Sequence, residues 1–464
     1  MTETKPITTR FKLLYGMGDL SLSAPLTIVA FFQLIFLTDV AGLPPGQAGT
    51  AVLLGKVWDA FNDPVIGFVS DKLDTRWGRR RGLLLFGAVP FGITFIFQFI
   101  VPNLGTDFAK VVYYTLAIIL FDTVYTIVNV AFNALTPAIT PDYDQQSSIN
   151  GFRMGFSIAG SLVGIIIATI IALFITDLRT QYFVLSLIMA LVAMVPILIA
   201  FRVTEEYDRP GSKDDSEEEF SFIEMITTTL GNRPFRLLMG LYLFSWTTAS
   251  LIASTLVFFA NYYMEVPDQA NFFVLASQLS AILFIPFWVW VSRKYDKRKA
   301  FIWGSLSWIV ILFGLMSVTP EMIAITYVLA ALGGAGVSTA YLLPWSMIPD
   351  VVELDELNTG LRREAAFYAF AAFFQKLGTG LAIWAFGQAL ALRGYISPEA
   401  GSGILPVQPE SAVQAIRLSI GLVPAVLLVC AVACAYFYPI TRPFYEDMQA
   451  KLKVAREAKA AAAD

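Results

Sequence analysis

The sequence predicts an all-α membrane protein with twelve transmembrane helices in two six-helix, pseudo-symmetric bundles. Three observations carry that prediction. Of 464 residues, 56% are hydrophobic and only 15% charged, where a soluble chain of ordinary composition carries about 25% charged residues. Apolar stretches of about 20 residues, enough to cross a bilayer as a helix, recur twelve times along the chain. An acidic segment, TEEYDRPGSKDDSEEEF, separates the first six from the last six.

The twelve runs are 13–38, 46–70, 82–102, 109–138, 148–176, 181–201, 235–262, 268–292, 299–317, 321–349, 364–392 and 411–438. They predict an N-terminal bundle over 1–202, a linker over 203–234, a C-terminal bundle over 235–440 and a tail over 441–464. Lysine and arginine set the orientation. With both ends and the even-numbered connections on one side, that side holds 25 of the 32 basic residues, including Lys72, Arg76, Arg79, Arg80 and Arg81, and Arg293, Lys294, Lys297, Arg298 and Lys299. The other side holds Lys110, Arg179, Arg393 and Arg417 at or near run ends, while Lys56, Arg153 and Lys376 are expected inside the membrane. Both termini, the linker and the tail are therefore expected in the cytoplasm. The polar start MTETKPITTRFK, followed by an apolar run too long for an h-region, gives no expectation of a cleaved signal peptide. A short repeat supports the two halves: PVIGFVSDKLDTRWGRRR ends the second run, PFWVWVSRKYDKRK ends the eighth, and Pro64 to Ser70 matches Pro286 to Ser292 in spacing. Transporters are often built from such repeats, with the binding site near the bilayer midplane.

Composition also excludes several functions. A net charge of −4 suggests no nucleic-acid partner, and the absence of histidine removes the usual proton shuttle and metal ligand. Cys430 and Cys434, in LLVCAVACAYF, suit neither a zinc ribbon nor a redox pair and read as two small buried thiols. No phosphate-binding GxxxxGK[ST] loop occurs, so ATP use is not expected.

The charges expected inside the membrane are Asp19, Lys56, Asp59, Asp63, Asp122, Arg153 and Lys376. Charged groups at membrane depth face the bundle interior or one another and usually mark function. The plain alternative is a set of ion pairs that only tie helices together. Asp122, one turn before Thr126, has no partner evident in sequence. In KVWDAFNDPVIGF, Asp59 and Asp63 are one turn apart, so their Cβ atoms lie about 6 Å from each other. Two carboxylates that close cannot both ionise without a counter-charge. Asn62 adds a neutral oxygen, and Pro64 frees the carbonyl of Ala60. Such oxygen clusters suit a hard cation such as Na⁺, although a proton, Lys56 or Lys376 would also neutralise the pair.

The stretch WDAFNDPVIGF followed by SDKLDTRWGRRR resembles the second helix and loop of the glycoside–pentoside–hexuronide:cation symporters, a group within the major facilitator superfamily that includes the melibiose permeases. GMGDL, YTIVNVAFNALTPAIT and FFQKLGTG are similar to that family's first, fourth and eleventh helices. The resemblance implies the major facilitator fold, a bacterial inner-membrane location and a Na⁺, Li⁺ or H⁺ site at Asp59, Asn62, Asp63 and Thr126. It implies substrate contacts at Asp19, Arg153 and Lys376, with Asn129 and Asn133 where sugar-transporting members carry an acid and a tryptophan, and Tyr341 and Trp345 at the aromatic position. The tenth-helix end LLPWSMIPDVVELDE looks more like the branch that carries lysophosphatidylcholine with Na⁺. The expectation is thus a cation-coupled symporter of a sugar, glycoside or sugar acid working by alternating access, with a lysolipid as the alternative cargo. No cofactor beyond the coupling ion is expected; the partners are the lipid bilayer and a small-molecule substrate, and the protein is expected to be a monomer. A remote enzymatic reading rests on Gly16-Met17-Gly18-Asp19, which matches the GxGD of intramembrane aspartyl proteases, but the companion Tyr-Asp pairs, Tyr143-Asp144 and Tyr295-Asp296, fall in turns. A channel would show a ring of like residues, and none is evident.

Overall fold

The computed structural model describes residues 7–73, 75–207, 231–361, 363–398 and 405–461. Most of the predicted linker, with Arg209 and Lys213, lies outside the described residues, as do Lys5, Arg362 and the side chains of Pro64, Lys72, Arg79, Tyr143 and Lys459.

Helix starts follow capping chemistry, in which a short polar side chain satisfies an otherwise orphaned N–H. Helix α1 (Thr9–Ile35) begins where Thr8 Oγ1 accepts from the Phe11 amide at 3.2 Å. Helix α2 (Pro45–Lys72) opens with proline, whose missing N–H costs nothing in a first turn. Next come α3 (Arg79–Gln98), α4 (Asp107–Ile139) capped by Thr106, α5 (Tyr143–Phe174) capped by Asp142, and α6 (Leu178–Val203) capped by Asp177. Beyond the 208–230 segment come α7 (Arg233–Phe258), α8 (Ala270–Lys294) and α9 (Lys297–Ser317) capped by Asp296. Helix α10 (Ile323–Thr359) ends at Gly360, whose φ of +71° suits a residue without Cβ. Helix α11 (Glu364–Leu392) precedes α12 (Glu410–Ile420) and α13 (Leu422–Phe437), which together form the last span, and α14 (Arg442–Ala461) closes the chain.

Among the described residues eleven helical stretches are long and apolar enough to cross a membrane. Helix α2 is the exception. At 28 residues it is long enough, about 42 Å, but Lys56, Asp59 and Asp63 crowd its middle. Two boundaries differ from the prediction. Helix α10 continues ten residues past 349, because the acids of its polar end find partners: Asp350 takes Lys297 at 2.7 Å and Asp355 takes Arg363 at 2.8 Å. The tail forms α14, an unforeseen helix held to α10 by Gln449 on Glu353 and by Arg456 on Glu356 at 2.7 Å. Cys430 and Cys434 are free and half-buried rather than buried.

The internal repeat extends beyond the Pro-to-Ser match. Helices α2 and α8 end two residues after the matched serines, and each serine donates to the carbonyl three residues back, Ser70 to Gly67 and Ser292 to Val289. Helices α1 and α7 both end in a π turn, Phe36–Val40 and Phe259–Tyr263. Equivalent bonds close them: Ala41 N to Phe36 O matches Met264 N to Phe259 O, and Leu43 N to Leu37 O matches Val266 N to Ala260 O. One left-handed residue follows each, Gly42 at φ +69° and Glu265 at φ +57°. In this register Asp39 corresponds to Tyr262.

Contacts divide the chain into two compact units. The first comprises Met1–Asp215, Ala253–Leu275 and Ile383–Ile416, and the second comprises Ser216–Ile252, Ala276–Ala382 and Arg417–Asp464. In the first, α1 packs on α5 and α6, α2 on α4, and α3 on α4 and α6. An aromatic core of Phe36, Phe91, Phe95, Phe99, Tyr114 and Phe121 fills it, with Phe36 5.1 Å from Phe99 and Phe91 5.5 Å from Phe121. In the second, α9 packs on α10 and α13, around Phe235, Tyr242, Phe301, Met347 and Phe367.

Candidate functional site

Helices α2 and α4 build the first cluster. The α2 residues recur every three or four positions, which places Lys56, Asp59 and Asp63 along one side of the helix. Helix α4 faces them with Asp122 and Thr126, again one turn apart. Thr126 Oγ1 lies 3.0 Å from Asp63 Oδ1 and 3.5 Å from Asp59 Oδ1. One hydroxyl carries one hydrogen, so it can donate to only one carboxylate at a time. Lys56 Nζ sits 3.0 Å from both oxygens of Asp122 and 3.8 Å from Asp59. Its short bonds thus go to the acid for which the sequence offers no partner. Asn62 is 4% exposed, and its Nδ2 has no hydrogen-bond partner among the described residues. A buried N–H group left without an acceptor is costly, and Asn62 directly precedes Asp63 in sequence. Asp59, Asp63 and Thr126 bring two carboxylates and a hydroxyl together. These are oxygen donors on adjacent turns of two helices, a set suited to a small hard cation.

The second cluster joins α1, α4 and α5. Arg153 Nε donates to Asp19 Oδ2 at 2.6 Å, its Nη1 to Thr136 Oγ1 at 2.6 Å and its Nη2 to Asn133 Oδ1 at 2.6 Å. Asn133 in turn donates to Asn129 Oδ1 at 2.9 Å, and the guanidinium stands 4.5 Å over the Phe132 ring. The predicted residues Asp19, Asn129, Asn133 and Arg153 therefore form one chain of hydrogen bonds. Gly16 and Gly18 have a packing reason: a Cβ on Gly16 would stand 3.0 Å from Phe156, and one on Gly18 would stand 2.5 Å from Phe132. Asp19 of the GxGD string is an ion-pair partner of Arg153.

Tyr341, Trp345 and Lys376 belong to the second unit. There α7, α10 and α11 gather aromatic rings: Trp246 lies 4.9 Å from Tyr341, Tyr242 lies 6.1 Å from Trp345, and Trp345 stacks on Tyr368 at 5.6 Å. Polar tips remain satisfied, with Trp345 Nε1 donating to the Tyr242 hydroxyl at 2.7 Å and Trp246 Nε1 to Thr379 Oγ1 at 3.0 Å. Lys376 stands one turn before Thr379 on α11. Trp246 and Tyr368 are ring partners that sequence reading missed, since single aromatics in apolar helices carry no signal of their own.

Also missed is Asp39, in LTDVAG at the end of the first run, where an acid reads as a loop residue. It is 4% exposed. Tyr262 and Tyr395 donate to its two oxygens at 2.6 and 2.7 Å, and Thr38 Oγ1 lies 2.7 Å from Oδ1. Burial, and then the charge of Asp39, push the Tyr395 phenol well above its usual value, so it stays a donor.

Comparison with known proteins places the chain. A model of the MFS/sugar transport protein family matches residues 14–442. The uncharacterized symporter sll1374 of Synechocystis is 33% identical, over 96% of this chain and 97% of that protein. The sodium-dependent lysophosphatidylcholine symporter 1-B of Danio rerio is 28% identical over 96% of this chain and 89% of its own length. YagG of Escherichia coli, a candidate glycoside/cation symporter, is 28% identical over 96% and 95%. Among solved structures, a D-xylose-proton symporter superposes with a TM-score of 0.66 at 14% identity, over 92% of this chain and 96% of that one. That likeness shows the fold: twelve helices of the major facilitator type.

Proposed function

The chain belongs to the MFS/sugar transport family, whose members are transporters rather than enzymes, and from that premise we propose that it is a cation-coupled symporter working by alternating access. The observation that supports this reading best is the convergence of Asp59 and Asp63 on the single hydroxyl of Thr126. A Na⁺ ion, or a proton in its place, supplies the positive charge that lets both carboxylates stay in a low-dielectric setting. Asn62 turns its amide oxygen to the ion. Lys56 gives its short bonds to Asp122 and stands 3.8 Å from Asp59, so the ion shares the neutralising of the pair with it. Only the fully loaded or the empty carrier reorients readily, because a half-loaded one carries a bare charge through the bilayer. The basic connections face the cytoplasm in this reading, with both termini, and the membrane is a bacterial inner membrane. The protein acts as a monomer.

The substrate is a sugar, glycoside or sugar acid. Arg153, Asp19, Asn129 and Asn133 offer hydrogen bonds in several directions, as a polyhydroxylated ring requires; in the second unit Tyr341 and Trp345 offer ring faces and Lys376, on α11, a charge. The Danio rerio relative supports a lysolipid as the second reading, with the same ion site.

The test needs no known substrate. Purified protein in detergent is titrated with Na⁺, Li⁺ and acid while its thermal midpoint is followed. Stabilisation by Na⁺ that disappears in Asp59→Asn and Asp63→Asn is the expected result; equal stabilisation of parent and both variants refutes the ion site. Repeating the titration with sugars, sugar acids and lysophosphatidylcholine identifies the cargo, since ion and substrate stabilise each other in a symporter.

A further inference from the structure

The end of the molecule opposite the basic turns holds a second buried carboxylate that ion coupling does not use. Asp39 lies in the π turn that follows α1, Tyr262 in the π turn that follows α7, and Tyr395 follows α11. All three, with Thr38, belong to the first compact unit. Segments distant in sequence close on the same end. A Cβ on Gly387 of α11 would meet the Pro45 carbonyl oxygen of α2 at 2.5 Å, and one on Gly49 would stand 3.1 Å from Trp384 Cα. Gln388 Nε2 donates to Gly46 O at 3.1 Å and Ser397 Oγ to Leu43 O at 3.1 Å. Glycine lets these backbones touch, but it supplies proximity without direction. The bonds at Asp39 are of another kind. They are the short hydrogen bonds to an ionised acceptor in this seam, and such bonds are roughly twice as strong as neutral ones. Both are made by residues of the second half of the sequence, and the Tyr262 and Tyr395 rings meet edge to face at 5.4 Å. The π turns matter because this rare wide turn re-aims side chains and is frequent at functional sites.

We infer that Asp39, with Tyr262 and Tyr395, is the latch that keeps this end of the transporter closed, and that breaking its two tyrosine hydrogen bonds is the step that opens it. When the end opens, water replaces the phenols on the carboxylate, so the change is reversible. Thr38 stays with Asp39 throughout, because both lie on the same turn. The latch acts without substrate or coupling ion, which makes it independent of the ion site proposed above.

Paired spin labels read the latch directly. Gln47→Cys and Asp268→Cys place labels on two exposed positions of this end, in full-length protein whose Cys430 and Cys434 are replaced by alanine, in nanodiscs without added Na⁺ or sugar. The parent is expected to show one short-distance population. Tyr262→Phe and Tyr395→Phe each raise the ratio of long to short distances by roughly tenfold, and the double variant by roughly a hundredfold. Asp39→Asn shifts the ratio the same way; if that variant fails to fold, the two phenylalanine variants, which keep the carboxylate and Thr38, decide alone. A folded double variant whose distances superimpose on those of the parent overturns the inference. So does a parent already populated at the long distance.

Discussion

Asp39 and the Asp59/Asp63 pair are all acids placed in helices that cross a membrane, and the surroundings give them opposite characters. Asp39 receives two phenols on separate oxygens and keeps a threonine at 2.7 Å. Asp59 and Asp63 converge on one threonine hydroxyl. Two phenols on one carboxylate mark a structural acid, whereas two carboxylates brought to one hydroxyl mark a site for an exchangeable charge. Where donors are sufficient, the charge stays put and holds helices together. Where two acids crowd one hydroxyl, the proposed mobile cation joins the set.

The largest effect should come from the neighbour that belongs to neither type. Lys56→Ala removes the ammonium from Asp122, which is 1% exposed, and should cost about 3–5 kcal/mol, as expected for a broken buried pair. Lys56→Ala with Asp122→Asn together should recover most of it in a thermal or denaturant series. A single variant as stable as the parent would mean that the pair is not what carries this charge. Next, Asp63→Asn should weaken Na⁺-dependent stabilisation by at least a hundredfold in Na⁺ concentration, about 2.7 kcal/mol, while Asp39→Asn leaves the Na⁺ titration within about twofold of the parent. Comparable losses in both would erase the distinction drawn above. Thr126→Val, which removes one ligand but no charge, should weaken Na⁺ about tenfold, or 1.4 kcal/mol. The smallest effect concerns the two left-handed residues. Glu265→Gly should stabilise the protein by about 0.5–1 kcal/mol by relieving strain at φ +57°, whereas Gly42→Ala should destabilise it by about 1 kcal/mol.

Much of this architecture is legible in sequence because membrane helices announce themselves by length and apolarity. The two acids of α2 are legible for the complementary reason, since two like charges one turn apart in an oily run call for a counter-charge. Pairings across helices are not. Lys56 could have served Asp59, one turn away on its own helix, and only the α2–α4 register shows it bonded to Asp122. Asp39 escapes notice because the last turn of a span looks like a loop, and its two tyrosines stand 223 and 356 residues further along. Helix α10 overran its predicted end because hydropathy counts Asp350 and Asp355 as polar without knowing that Lys297 and Arg363 await them.

That α2 falls short of the apolarity of its eleven counterparts has a consequence for biosynthesis. Three charges at the middle of a helix each resist transfer into lipid by about 2.5–3.5 kcal/mol, more than its flanking apolar residues readily offset. The partner that relieves part of this burden, Asp122, is synthesised 66 residues after Lys56. Helix α2 therefore has to linger beside the insertion machinery until α4 emerges, and the two enter the bilayer as a pair. Insertion of segment 45–72 alone, compared with segment 45–139 in a glycosylation-mapping assay, measures that dependence.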